Sequence, residues 1–196
     1  MSRLLTLKIT LEHSYPEIWR ELEVDGRIRL SCFHELIQIA MGWENCHLHL
    51  FKKNKDLYMP YGDLLIELNA IDEDYFSIFD LLPRKGCKAV YEYDFGDSWI
   101  HLIEVTASRK ITGALQAPKL LAGKGACPPE DSGGIYRYCD LLPLLDQPDH
   151  EDYEQVEWCL GEDFDPTAFD RKAVRGFLSK YAKEQKLPER DEDEGS

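Results

Sequence analysis

The chain has 196 residues, is 43% hydrophobic and 11% aromatic, and carries a formal net charge of −14 from 23 basic and 37 acidic side chains. This composition supports a folded core and excludes an intrinsically disordered chain. The charge excludes a general coating of nucleic acid, because binding to phosphates depends on lysine and arginine. No apolar run approaches the roughly 18 residues of a membrane span, and no signal peptide is visible. We therefore expect a cytoplasmic protein without a membrane segment.

The acidic residues are concentrated towards the C-terminus. Residues 146–196 contain 16 acids and 7 bases, and residues 146–170 contain ten acids and no lysine or arginine. Such a segment is either a solvated helix face followed by an acidic tail, or an arm that attracts a basic partner or mimics nucleic acid. We expect one domain over residues 1–188, with a C-terminal helical part at about 135–188, and a disordered acidic tail over 189–196.

The N-terminal part predicts the order strand, strand, helix, strand. Alternating apolar residues predict strands at 5–11 and 18–24, joined by a proline-containing turn. Apolar residues then recur at helical spacing between Ser31, a suitable N-cap, and Gly42, a suitable residue for the left-handed position after a helix. A third strand is predicted at 46–51. This order favours an α+β fold in which a β-grasp-like mixed sheet packs on one main helix, with additional C-terminal helices.

The rest of the chain predicts several short helices. Ser77 is a suitable N-cap for a helix that Pro83 stops. Further helices are predicted at about 136–142, near 150–160 and at about 170–182. The six cysteines include no C-x-x-C pair, so the sequence gives no support to a zinc ribbon or a thioredoxin-like motif.

Residues 89–104 carry the most informative pattern. Gly96-Asp97 between two β-prone runs is typical of a two-residue hairpin turn. Directly opposed residues of a hairpin share a face of the sheet, so this turn predicts a polar face made of Glu92, Asp94, Trp99 and His101. On that face the pair formed by Glu92 and His101 is either a carboxylate that orients an imidazole or a cross-strand ion pair.

Two other segments carry residues suited to chemistry. His47 and His49 lie at positions i and i+2 of a predicted strand and point to one face, as a metal-binding pair requires, or they are simply surface histidines. Glu130 and Asp131 follow a rigid Pro-Pro segment, which either presents them to a ligand or lets them bond to loop amides. The candidate binding cleft therefore consists of His47, His49, Glu92, Asp94, Trp99, His101, Glu130 and Asp131.

Several segments together resemble one known family. They are Pro16-Glu17-Ile18-Trp19-Arg20, Phe33-His34-Glu35-Leu36-Ile37-Gln38, Met41-Gly42-Trp43, His47-Leu48-His49-Leu50-Phe51, Tyr91-Glu92-Tyr93-Asp94-Phe95-Gly96-Asp97-Ser98-Trp99 and Cys127-Pro128-Pro129-Glu130-Asp131-Ser132-Gly133-Gly134. The family is named for the third open reading frame of a root-inducing (Ri) plasmid, and its members are often labelled insertion-element passenger or resolvase-like proteins. The resemblance covers about residues 4–180 and implies association with mobile genetic elements, with no assigned biochemical function.

The resolvase label is not supported by the residues, because the chain shows neither an arginine cluster nor a basic DNA surface. Three hypotheses follow. The first is a non-catalytic binding or adaptor module whose partner is a protein or a small ligand rather than nucleic acid. The second is a metal-dependent hydrolase or nuclease-like enzyme that uses the His/Asp/Glu cluster. The third is an acidic DNA mimic. The sequence requires no cofactor, although a divalent metal is compatible with the cluster.

Overall fold

The structure is a computed structural model that describes residues 2–185. Its centre is one eight-stranded sheet in the order β5-β4-β3-β6-β7-β1-β2-β8. The strands are β1 (Arg3–Leu11), β2 (Trp19–Asp25), β3 (His49–Lys53), β4 (Asp56–Met59), β5 (Ile71–Asp72), β6 (Lys88–Tyr93), β7 (Trp99–Lys110) and β8 (Lys119–Lys124). The pair β4–β5 is parallel and the other strand pairs of this sheet are antiparallel.

Six α-helices accompany the sheet within the described residues. They are α1 (Leu30–Met41), α2 (Asp63–Glu67), α3 (Ile78–Leu81), α4 (Gly134–Leu141), α5 (Tyr153–Leu160) and α6 (Arg171–Glu184). The mixed α+β class predicted from the sequence is therefore confirmed. The β-grasp-like description is a finer statement that this strand order does not confirm. The predicted acidic tail lies outside the described residues, and the single-domain boundary stays a prediction.

The main helix α1 is placed by its apolar stripe and its two ends. Phe33, Ile37 and Ala40 are buried along the face that packs on the sheet, as helical spacing requires. The helix ends at Gly42, whose φ of 94° is left-handed and whose N–H donates to the carbonyl of Gln38. Glycine adopts this conformation without the steric cost that a Cβ would add.

The predicted N-cap of α1 is wrong by two positions, because Arg29 occupies the N-cap and makes no side-chain cap. Ser31 lies inside the helix, and its hydroxyl donates to the Asp74 carboxylate at 2.5 Å. By contrast, Ser77 caps α3 as predicted, with a reciprocal capping box to Asp80. Among the described residues no helix combines the length and the apolar character that crossing a bilayer would need.

Alternation along β1 places the core. Leu5, Leu7, Ile9 and Leu11 are almost fully buried, while the residues between them are half-exposed. Each such side chain contributes about 1.5–3 kcal/mol through removal from water. The face opposite to these residues carries polar and half-buried side chains, which is common for antiparallel sheets with one solvated face.

The hairpin β6–β7 is paired one residue away from the predicted register. Tyr93 lies opposite Trp99, and Tyr91 lies opposite His101. The prediction that Glu92 faces His101 and Asp94 faces Trp99 is therefore wrong. The loop contains five residues rather than two, because both Asp94 (φ 58°) and Ser98 (φ 54°) adopt the left-handed conformation.

A shift of one residue exchanges the two faces of a strand. Trp99 and His101 consequently point into the core and are fully buried. Glu92 is on the opposite face, where its carboxylate accepts a hydrogen bond from the Ser98 hydroxyl at 2.8 Å. The predicted polar hairpin face does not exist.

Candidate functional site

Three loops meet at one end of the sheet. They are residues 43–48 between α1 and β3, the hairpin loop 94–98, and residues 125–133 between β8 and α4. They share this end because Tyr93 at the end of β6 pairs with His49 at the start of β3 and with Trp99 at the start of β7. We call this arrangement the three-loop site.

The Tyr93 hydroxyl joins two of the loops directly. It accepts a hydrogen bond from the backbone N–H of Cys46 at 2.9 Å and donates one to the Glu130 carboxylate. The second oxygen of Glu130 accepts the N–H of Glu44 at 2.8 Å. Burial, reinforced by the Glu130 carboxylate, raises the pKa of Tyr93 well above its ordinary value. The hydroxyl therefore keeps its proton and acts as a stable donor to Glu130.

The hairpin loop and the proline-rich loop are in close backbone contact. The Asp97 carboxylate accepts the N–H of Gly133 at 2.9 Å. Gly134 has a φ of +81°, and a Cβ there would lie 2.5 Å from the Asp97 carbonyl oxygen. Only glycine fits this position. Trp43 adds a third connection, since its indole N–H donates to the Pro128 carbonyl at 2.9 Å.

Three side chains, one from each loop, converge at the surface of this site. His47 Nε2 lies 3.1 Å from Asp131 Oδ1 and 3.7 Å from Asp94 Oδ2. One ligand atom from each of these residues lies within 4.8 Å of the other two. One imidazole and two carboxylates form a donor set that suits a divalent cation.

The local backbone explains why the two aspartates occupy these positions. Asp94 (φ 58°) and Asp131 (φ 57°) are both left-handed, a conformation that aspartate tolerates better than most residues. One oxygen of Asp94 accepts the Gly96 N–H at 2.9 Å in an Asx-type turn, and the other faces the imidazole. Asp94 is buried, whereas the Asp131 carboxylate is 77% exposed.

The Nε2 atom of His47 is shielded from solvent and makes no hydrogen bond, although Asp131 lies within hydrogen-bonding distance. The distance is suitable, so it is the alignment of donor and acceptor that falls short. Two kinds of contact would satisfy this nitrogen. It could donate a hydrogen bond to one of the aspartates after a small rotation, or it could share a cation with both of them.

A second group of potential ligands lies beside the first. Glu44, Cys46 and Glu130 each place one ligand atom within 4.8 Å of the others. Both oxygens of Glu130 already accept hydrogen bonds, from Tyr93 and from Glu44. This second group is therefore less available to a cation than the group around His47.

The structure brings together half of the predicted cleft. The members that meet at the three-loop site are His47, Asp94, Glu130 and Asp131. The predicted strand pair of His47 and His49 is wrong, because His47 lies in the loop that precedes β3. The other four predicted members do not belong to the site. Glu92 lies on the opposite face of the sheet, and the core beneath the site contains His49, Trp99 and His101. Trp43 spans the two levels, with its ring 5.9 Å from that of Trp99 and 5.2 Å from that of His101.

A buried polar layer beneath the site was not predicted. The rings of His34 and His49 stack in parallel with centroids 3.4 Å apart. His49 Nε2 lies 3.0 Å from a Glu73 oxygen, and His34 lies between the Tyr91 hydroxyl at 2.8 Å and Asn45 Oδ1 at 2.6 Å. These contacts connect the core to the loop that carries His47.

Burial controls the charge of this layer. Loss of solvation, with the stacked imidazole as a second cause, lowers the pKa of His34 to about 3. Burial also lowers the pKa of His49 to about 4 and raises that of Glu73 to about 8. Desolvation disfavours the charged form of each group. The layer is therefore neutral overall at neutral pH.

Arg20 is another buried polar residue that was not predicted from the sequence. Its guanidinium donates to the carbonyls of Ala40, Lys124 and Gly125 at 2.7, 2.8 and 2.9 Å, and it lies 3.9 Å from the Phe169 ring centroid. It thus joins the end of α1 to the start of the proline-rich loop. The sequence did contain a sign of this role, because Arg20 lies on the same face of β2 as the buried residues Leu22 and Val24.

The fold and the site together define a mixed α+β protein with a polar site carried on loops at one end of its sheet. The chain belongs to the Plasmid pRiA4b ORF-3-like protein family, whose sequence model matches residues 3–173. This confirms the family resemblance seen in the sequence, and the family name fits the expected plasmid association.

Two relatives extend the comparison. The chain is 36% identical over 189 residues to the uncharacterized protein y4hQ of Sinorhizobium fredii (strain NBRC 101917 / NGR234), covering 93% of this chain and 96% of y4hQ. It is similar to the crystal structure of MM3350, a protein of unknown function from Methanosarcina mazei Go1, with a TM-score of 0.76 and 32% identity. That match covers 88% of this chain and 97% of MM3350.

Proposed function

We propose that the protein is a non-catalytic binding module whose three-loop site holds a divalent cation. The observation that carries this proposal is the convergence of His47, Asp94 and Asp131 from three different loops. Each loop is held by main-chain hydrogen bonds, so the three side chains meet because of the fold and not through flexible surface contact. Association with mobile genetic elements stays a prediction.

The distances support a shared cation. Neighbouring ligands that each lie about 2.0–2.2 Å from one ion are separated by about 2.8–3.6 Å in octahedral or tetrahedral arrangements. The 3.1 Å between His47 and Asp131 falls in this range, and the 3.7 Å between His47 and Asp94 needs only a small rotation. A mixed nitrogen and oxygen donor set favours Zn²⁺ or Mn²⁺ over Ca²⁺ and Mg²⁺, which prefer oxygen ligands.

Metal titration of tag-free protein tests the proposal. After dialysis against a chelator, we expect calorimetry with Zn²⁺ or Mn²⁺ to show one site per chain. The variant His47→Gln/Asp131→Asn should lose it. The variant His150→Gln/Asp152→Asn is a matched control, because His150 and Asp152 form a similar exposed pair, 3.8 Å apart, away from the site.

Two results would contradict the proposal. One is the absence of stoichiometric binding by the wild type at metal concentrations well above the protein concentration. The other is an equal loss of binding in the site variant and in the control variant. Either result would leave a direct contact between His47 and the two aspartates as the explanation of the geometry.

A metal-dependent hydrolase is the second candidate, and one observation favours it. The site supplies three protein ligand atoms, so a bound cation would retain positions for water and substrate, as in catalytic zinc sites. Metal-dependent cleavage of an activated phosphodiester, abolished by Asp131→Asn, would support this candidate. Metal binding without any such cleavage would support the binding module.

A further inference from the structure

A groove that shares no residue with the three-loop site has features that suit a ligand of a different class. It has a volume of about 330 Å³ and lies between α5, the segment that precedes α5 and the loop that follows it. Its lining divides into two chemical groups. The apolar lining residues are Leu142, Leu145, Tyr153, Val156, Phe164 and Pro166.

The second group is acidic. Asp146, Glu157, Glu162 and Asp165 also line the groove, and all four are exposed. No lysine, arginine or histidine lines it. Within residues 2–185, no basic side chain forms an ion pair with Asp146, Glu157 or Glu162.

Local hydrogen bonds favour the charged form of one carboxylate of this groove. Hydrogen bonds from the Thr167 hydroxyl and backbone N–H lower the pKa of Asp165 below its ordinary value. The surrounding segment 146–170 contains ten acids and no lysine or arginine. The groove thus combines an apolar floor with a negative field that the described part of the chain does not neutralise.

We propose that this groove binds a lysine- or arginine-containing peptide segment of a partner protein. Lysine and arginine match both chemical groups, since their methylene stems cover apolar surface while their charged heads reach polar surroundings. The volume is at the lower end of the range of about 300–1,000 Å³ for ligand pockets. It therefore accommodates long side chains of an extended segment and not a folded domain.

Charge complementarity selects this occupant over the others. A second copy of the chain would bring a net charge of −14 to an acidic surface, and nucleic acid would be repelled in the same way. An apolar peptide would leave the acidic rim without partners. Binding of a basic segment in this groove is also independent of the cation proposed for the three-loop site, because the two surfaces share no lining residue.

Fluorescence anisotropy with a short labelled peptide that alternates lysine and leucine tests this proposal. The variant Glu157→Gln/Glu162→Gln removes two groove charges from exposed positions, so the fold is retained. We expect its Kd to rise by about 2- to 30-fold, the effect of losing two exposed ion pairs. The variant Asp149→Asn/Glu151→Gln removes the same charge from exposed positions outside the groove lining and should change Kd by less than about 2-fold.

A second peptide separates the groove from simple charge attraction. Replacing each lysine by diaminopropionate keeps the charge and removes most of the stem, so binding should weaken if the stem packs on the apolar floor. Equal binding of both peptides, together with equal effects of the two protein variants, would overturn the proposal. Displacement of the peptide by spermine at similar concentration would also overturn it, in favour of a small polyamine as the occupant.

Discussion

The hydroxyl group of Tyr93 provides the sharpest single test of how the site is built. The change Tyr93→Phe deletes one oxygen and keeps the ring, which stacks on Trp43 with centroids 5.0 Å apart. Three hydrogen bonds are lost: two accepted from the backbone N–H groups of Cys46 at 2.9 Å and His47 at 3.3 Å, and one donated to Glu130. The packing of the core is otherwise unchanged.

The expected loss of stability follows from these hydrogen bonds. A neutral hydrogen bond contributes about 0.5–1.5 kcal/mol, and a bond to a charged group about 1.5–3 kcal/mol. The partners are partly exposed to water, which reduces the cost. We therefore expect the free energy of unfolding to fall by about 1–3 kcal/mol in urea denaturation. Tyr61→Phe, which removes a hydroxyl from a side chain that is 77% exposed, should change it by less than about 0.5 kcal/mol.

The same variant should weaken metal binding. Without the hydroxyl, the loop that carries His47 and the loop that carries Asp131 lose one of their connections, while those made by Trp43 and Glu44 remain. Removal of groups that orient metal ligands typically costs 10- to 100-fold in affinity, and we expect a rise in Kd of about that size by calorimetry. A Tyr93→Phe protein with the stability and the metal affinity of the wild type would refute the reasoning that this hydroxyl organises the site.

Two further predictions concern stability. Gly134→Ala should lower the free energy of unfolding by about 2 kcal/mol or more, because φ is +81° and the new Cβ would collide with the backbone. The control Gly176→Ala, where the new Cβ would meet open space on α6, should raise the free energy of unfolding by about 0.5–1 kcal/mol. Burial lowers the pKa of His34 and His101 to about 3 and raises that of Glu73 to about 8. Below about pH 6.5 the unfolded chain binds protons at these histidines that the folded chain does not bind, so stability falls as the pH is lowered. Above about pH 6.5 the unfolded chain has already lost the Glu73 proton that the folded chain keeps up to about pH 8, so stability falls as the pH is raised. Urea denaturation should therefore show maximum stability at about pH 6.5, and a steady rise to about pH 9 would contradict this.

Local patterns in the sequence predict the elements of this fold well. The alternation in β1, the apolar stripe of α1 and the capping box at Ser77 all depend on residues close in sequence, and all three are present. The helices α4, α5 and α6 begin and end within a few residues of their expected positions. The width of the sheet could not be predicted, because the strand pairs β3–β6 and β2–β8 join distant segments.

The register of the β6–β7 hairpin shows where such reasoning fails. Gly96-Asp97 favours a two-residue turn, yet the chain uses five residues because Asp94 and Ser98 both take positive φ. Either conformation is compatible with the same local sequence. Contacts distant in sequence distinguish the two, such as the hydrogen bond from the Gly133 N–H to the Asp97 carboxylate. The register, and with it the face of the sheet that holds Trp99, is therefore not readable from the hairpin sequence alone.

The buried polar layer left only part of its signal in the sequence. His34 and Gln38 lie four residues apart within the apolar stripe of α1, which indicates that they face the core. Gln38 donates to the Tyr91 hydroxyl at 2.9 Å. Glu73, in contrast, lies in a short 3₁₀ turn, and no periodic pattern marks it as the partner of His49.

The segments that carry the family resemblance contain both residues that fasten loops and residues that would bind a ligand. Arg20, Tyr93 and Gly134 fasten loops by contacts to backbone or to other loops, so their presence indicates the fold and not the ligand. The Asp131 side chain is 77% exposed, and its ion-pair contact within the described residues is with His47. Asp131→Asn should therefore abolish cation binding while changing the free energy of unfolding by less than about 0.5 kcal/mol. A large loss of stability in this variant, without any metal binding by the wild type, would mean that the three-loop site is a structural ion pair.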